Sequence, residues 1–123
     1  MTVRKNKGGD FMTVEKIIEL SELSPLVLAD AKREIDGIYC CDLLSVVMSK
    51  AFSGCAWVTI MGNINAVAVA SLDDMSCIIL ADGAAVDELM LTKAREQDVN
   101  VLQSNQPIFE TALMIHELIK ENV

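Results

Sequence analysis

A single three-layer α/β domain, with a mainly parallel sheet flanked by helices, is what this sequence predicts, and three observations predict it. From Cys55 onward the chain reads strand, helix, strand, helix, strand, helix. That alternation calls for parallel strands joined by right-handed crossovers. Hydrophobic residues make up 52% of the chain but aromatics only 4%, so the core is aliphatic, unlike that of a β-sandwich. The length, 123 residues, suits one domain.

The elements follow in order. Residues 1–12 are predicted to be a disordered or non-native leader, and residues 13–121 the folded domain. Lys7-Gly8-Gly9-Asp10 is encodable by a purine-rich stretch of the kind that serves as a bacterial ribosome-binding site, so Met12 is expected to be the start. Thr13 caps a first helix with Val14, Ile17 and Ile18 on one face, ended by Ser24-Pro25. Leu26–Leu28, a turn at Asp30-Ala31-Lys32, and Glu34–Cys40 read as a hairpin, with Gly37 marking a bulge or close backbone approach. Asp42 is the expected N-cap of a helix carrying Leu43, Leu44, Val47 and Ala51, closed by Ser53-Gly54.

The central unit is Cys55–Asp82: a strand at Cys55–Ile60, a break at Met61-Gly62-Asn63, a helix at Asn65–Asp73 and a buried strand at Cys77–Leu80. Asp82-Gly83 turns the chain into a helix carrying Val86, Leu89, Met90 and Ala94. Val99–Gln103 is the next strand, and Ser104-Asn105-Gln106-Pro107 opens a last helix striped by Ile108, Thr111, Ala112, Ile115 and Ile119.

Charge and composition narrow the function classes. The net charge is −8, and because Met1–Met12 carries +2, the remainder carries −10. Such a surface repels nucleic-acid phosphates. No apolar run is long enough to span a bilayer and no apolar signal core opens the chain, so a cytoplasmic protein is expected, with no membrane partner. Cys40, Cys41, Cys55 and Cys77 form no CxxC pair and imply neither a disulfide framework nor a metal site. There is no phosphate loop and no dinucleotide fingerprint. The one histidine, His116, falls beside the last helix's apolar stripe, where a surface or rim position is expected. Asp73-Asp74 and Asp87-Glu88 are adjacent along the chain and so do not face each other; they read as solvated helix ends. Met48, Met75, Met90 and Met114 read as core filler, some of them available to a partner. No catalytic residue, metal ligand or cofactor is expected.

Ligands of open parallel sheets gather beyond the carboxyl ends of the strands. Met61–Asn65, Ala81–Ala85 and Ser104–Gln106 fall there, offering Asn63, Asn65, Asp82, Ser104, Asn105 and free amides at helix starts. Capping and turn formation use the same residue types.

Several blocks then resemble a known family. Arg33-Glu34-Ile35-Asp36-Gly37 and Tyr39-Cys40-Cys41-Asp42-Leu43-Leu44-Ser45 are similar to the region that names the DRTGG domain. Trp57-Val58-Thr59-Ile60, Asn65–Ala70, Cys77-Ile78-Ile79 and Val101-Leu102-Gln103-Ser104 are similar to its later strands and helices, so the resemblance covers about Thr13 to Leu118. The naming motif is degenerate here: Lys32 stands for its acid and Ile38 for its second glycine. After the central strand, Gly62-Asn63-Ile64-Asn65 lacks the histidine found in many relatives. The resemblance implies the fold of the N-terminal domain of HPr kinase without its kinase domain. It also implies a non-catalytic regulatory or interaction module, a homodimer binding a small anionic or nucleotide ligand or a partner protein, with a link to hydrogenase or redox metabolism. The alternatives are an adenine-nucleotide sensor and a small enzyme using Asp42, Ser45 or Asn63. Arg33, with Asp36 and Gly37 on its hairpin, is the expected clamp for an anion, through its planar fork; Asp42, Ser45 and Thr59 complete the expected binding residues. A surface ion pair with Glu34 or Asp36 is the competing role for Arg33.

Overall fold

The computed structural model describes residues 11–122. The expected leader, apart from Phe11 and Met12, lies outside the described residues. Met12 is fully buried, and its carbonyl accepts the Ile35 amide at 2.8 Å.

The chain runs α1 (Val14–Leu20), β1 (Ser24–Val27), β2 (Gly37–Cys40), α2 (Leu44–Lys50), β3 (Cys55–Thr59), α3 (Ile64–Leu72), β4 (Cys77–Leu80), α4 (Glu88–Glu96), β5 (Val101–Gln103) and α5 (Ile108–Asn122). The sheet order is β1-β5-β4-β3-β2. Strands β2 to β5 are parallel, and β1 runs antiparallel to β5. The predicted α/β class is therefore the observed one, with one antiparallel strand at the edge.

The early hairpin is not formed. β1 and β2 lie at opposite edges of the sheet. Asn100 reinforces this arrangement: its side-chain amide accepts from the Asp30 amide at 2.8 Å and donates to the Asp30 carbonyl at 2.9 Å, fastening the exit of β1 to the entry of β5. Residues 31–35 then bond to the start of α1 instead, through Glu15 N to Ala31 O, Val14 N to Arg33 O and Ile35 N to Met12 O. Ser24-Pro25 does not merely end a helix but opens β1, where an edge position spares proline a ladder bond. Gly37 pairs in register with Cys55, and the irregularity falls in β1, between Pro25 and Val27.

Alternation along the buried strands splits the core in two. Cys55, Trp57, Ile78, Leu80 and Val101 face α2, α3 and α4, packing with Val47, Val67 and Met90. Ala56, Val58, Cys77, Ile79 and Leu102 face α1 and α5, packing with Val14, Ile17 and Ile115. Because β2, β3, β4 and β5 are laid down in one direction, right-handed crossovers put all three linking helices on one face. The helices that follow β4 and β5 thus leave toward opposite faces, and only there do neighbouring loops diverge.

Candidate functional site

At the carboxyl ends of the strands the loops are tied to one another. Asp42 does not cap α2; Leu43 holds that position without a side-chain bond. Instead Asp42 Oδ1 accepts from the Thr59 hydroxyl at 2.6 Å and the Ile60 amide at 3.0 Å, joining the exits of β2 and β3. Asn63 caps α3 by accepting from the Asn65 and Ala66 amides. The Asp87 amide donates to the Gly62 carbonyl at 3.0 Å, and a Cβ on Gly62 would overlap the Ala85 carbonyl. Where the loops diverge, the Asp82 amide donates to Gln106 O at 2.7 Å and the Gly83 amide to Ser104 O at 2.9 Å. Asp82 and Gly83 both have positive φ. The Ser104 hydroxyl is buried against Thr111 at 2.8 Å. The structure thus brings Asp42 and Thr59 together directly, gathers Asn63, Asn65, Asp82 and Ser104 along the same rim, and leaves Ser45 exposed in the first turn of α2.

Arg33 and Asp36 lie at the other rim, before β2, and Gly37 opens that strand. Arg33 reaches neither Glu34 nor Asp36: its guanidinium donates to the Asp74 carbonyl at 2.7 Å and pairs with the Asp74 carboxylate at 3.1 Å. The hydrogen bond from Ser53, then Arg33, holds the Asp74 carboxyl below its ordinary value. Asp36 donates its amide to Gly54 O at 2.8 Å, and the positive φ of Gly54 matches a site where a Cβ would overlap the Asp36 carboxylate. The expected binding residues therefore form two groups on opposite ends of the sheet.

Charge is segregated along the strands. Among the described residues, Lys32 and Arg33 precede β2, Lys16 lies in the first half of α1 beside them, and Lys50, Lys93, Arg95 and Lys120 fall late in α2, α4 and α5. All of these lie toward the amino ends of the strands. The carboxyl-end loops carry Asp42, Asp82, Asp87 and Glu88. The pattern suits the helix dipoles, and among the described residues it leaves no cation on the carboxyl-end rim.

Cavities and thiols mark the rest of the surface. One cavity of about 300 Å³ opens beside the Ser104–Gln106 loop, walled by Leu20–Leu23 at the end of α1 and by Met114 and Leu118 of α5. A second, of about 250 Å³, lies along the β2 edge between Ile38, Cys40, Phe109, Leu113 and His116. His116 is half-buried there. Burial, then Asp42, raises the Cys40 thiol; burial pushes Cys55 up to about 11 and raises Cys77 further still. Trp57 donates its indole N–H to Cys41 O at 2.9 Å. Met75 and Met90 are core residues, as expected, whereas Met48 is exposed. No group of His, Cys, Asp and Glu able to hold a metal ion occurs among the described residues, and no described helix is long and apolar enough to cross a membrane. Phe109 and Leu113 lie outside the segments the sequence placed at a site. Their signal in the sequence is only that Phe109 and Leu113 break from the buried stripe of α5.

The fold and rim define a small α/β domain whose carboxyl-end loops are tied together by backbone and capping bonds. Residues 20–118 match the model of the DRTGG domain family, and the chain belongs to that family. No curated protein matches the chain. Among solved structures, it is similar to the CBS and DRTGG domains of the regulatory region of Clostridium perfringens pyrophosphatase, complexed with the activator diadenosine tetraphosphate. The TM-score is 0.70 at 10% identity, covering 84% of this chain and 45% of that one. The likeness is one of fold, and this chain spans less than half of that structure's length.

Proposed function

We propose that the chain is a non-catalytic regulatory module that acts as a homodimer and responds to a small ligand or partner protein. The observation that carries this is the β2 edge. Among the described residues β2 pairs with β3 alone, which leaves its outer edge to another strand. Beside it, Phe109 and Leu113 are 68% and 42% exposed around an apolar groove that also holds Ile38 and Cys40. An antiparallel β2–β2 contact about a two-fold axis would satisfy both features with one self-complementary patch. Within the groove His116 is the one titratable side chain besides the Cys40 thiol, so two acidic copies meet there without opposing carboxylates. Light scattering tests this: a dimer that Phe109→Asp and Ile38→Asp each convert to monomer is expected. A wild-type monomer at the highest soluble concentration overturns it.

Adenine-nucleotide sensing is the second reading, favoured by the diadenosine tetraphosphate bound to the pyrophosphatase region. A thermal-shift series with AMP, ATP and diadenosine tetraphosphate tests it; no shift at millimolar ligand removes it. An enzymatic role has less support, because Asp42 and Asn63 are engaged in holding loops. The link to hydrogenase or redox metabolism, and the cytoplasmic location, rest on the family resemblance and on composition. Gene neighbourhood tests the former.

A further inference from the structure

The cavity beside the Ser104–Gln106 loop has the character of a small-molecule site. Its volume, about 300 Å³, is at the lower end of the range for such sites. Leu23, Met114 and Leu118 give it apolar walls, and Leu23 is only 4% exposed. Glu22, Asn105 and Gln106 stand at its mouth as exposed side chains. The loop that presents the two carboxamides is rigid for reasons independent of any ligand. Ser104 Oγ accepts the Gln106 amide at 3.1 Å, Thr111 donates to Gln106 O at 3.0 Å, and the Asp82 amide bonds to the same carbonyl. On the facing wall, Ser21 is tied to Ile17 O at 2.5 Å and accepts the Leu23 amide at 3.2 Å. Both walls are therefore preorganised, which lowers the ordering cost of binding.

The chemistry of the mouth selects the ligand. Each carboxamide offers a donor and an acceptor, the pairing that reads amino-bearing bases edge-on. Glu22 only accepts, so it favours a ligand with an exocyclic amine. Among the described residues, no Lys or Arg lines the cavity. The nearby N-terminus of α5 supplies about half a positive charge, less than the full negative charge of Glu22. A phosphate group is therefore not favoured here.

We propose that this cavity binds an amino-bearing heterocyclic base as its free nucleoside, with the base between Leu23 and Met114 and its edge against Glu22, Asn105 and Gln106. This deepens the ligand reading above, and it differs from that reading in rejecting the phosphates.

Titration of the full chain with adenosine, inosine and ATP, followed by ¹H–¹⁵N NMR, tests it. Adenosine should move the side-chain amide signals of Asn105 and Gln106 and the backbone signals of Leu20–Leu23. It should bind at least several-fold more tightly than inosine or ATP. Glu22→Gln should narrow the gap to ATP. Gln106→Ala, on an exposed side chain, and Met114→Trp, which fills the cavity, should each weaken adenosine binding at least several-fold. ATP binding more tightly than adenosine, or shifts confined to residues away from this cavity, overturns the site while leaving nucleotide sensing in place. The absence of binding by all three probes overturns this site and counts against nucleotide sensing as well.

Discussion

The Thr59 hydroxyl donates to Asp42 Oδ1 at 2.6 Å, across 17 residues of sequence. Thr59 is fully buried at the end of β3, and Asp42 is the last residue before the α2 cap. The pair holds the exits of the two strands at one spacing. Thr59→Val keeps the shape but deletes the donor, and the Met61 amide loses the Thr59 oxygen as well. A loss of about 1–2 kcal/mol is expected from urea unfolding. Asp42→Asn retains an acceptor toward both Thr59 and Ile60 and should cost less than Asp42→Ala.

The Arg33–Asp74 pair predicts acid sensitivity. Asp74 has a folded value lowered from 3.8, by Ser53 first and Arg33 next. Its contribution is therefore present above the unfolded value and lost as pH falls through the lower folded one. Asp74 is 66% exposed, so solvent screens the pair, and the ion pair itself is worth about 0.2–1 kcal/mol. Denaturation midpoints of Asp74→Asn and wild type should differ at pH 7 and converge as the pH falls through the lowered folded value of Asp74.

The four thiols should divide by reactivity. Cys40 is exposed, whereas Cys55 and Cys77 are buried. With Cys55 near 11, its thiolate is about a thousandth of the population at pH 8. A chromogenic disulfide reagent should therefore label Cys40 in a monomeric variant such as Phe109→Asp, and Cys55 and Cys77 only after denaturation. Rapid labelling of all four in native buffer would contradict the packing of the β3–β4 core.

Gly62 has no space for a side chain. A Cβ there would meet the Ala85 carbonyl, which is backbone and cannot swing away. The same contact positions the Gly62 carbonyl for the Asp87 amide. Gly62→Ala should cost about 1–3 kcal/mol, read as a lower thermal midpoint. An unchanged midpoint would mean that the 85–87 loop shifts freely.

Local patterns made much of this fold legible. The Cys77–Leu80 strand, the Asn63 turn into α3 and the apolar stripe of α5 are written in short windows, because burial on both faces and helical spacing each leave a periodic trace. The β1 partner left no such trace. Leu26, Val27 and Gly37–Cys40 are extended in either arrangement, and the observed pairing is fastened by Asn100, 70 positions away from Asp30. Asp42 is the same case. Its type and place before an apolar stretch fit an N-cap, yet the Thr59 hydroxyl and Ile60 amide compete for its carboxylate.

The sequence by itself determined an aliphatic α/β domain of parallel crossovers, its acidic balance and its resemblance to the DRTGG family, since composition, period and local motif carry those properties. Only the tertiary structure decided that Arg33 lies at the opposite end of the sheet from Asp42, that Asp74 is its partner, and that the rim loops close on themselves. Those outcomes depend on strand order and crossover hand, which bring distant residues together and leave no periodic mark along the chain.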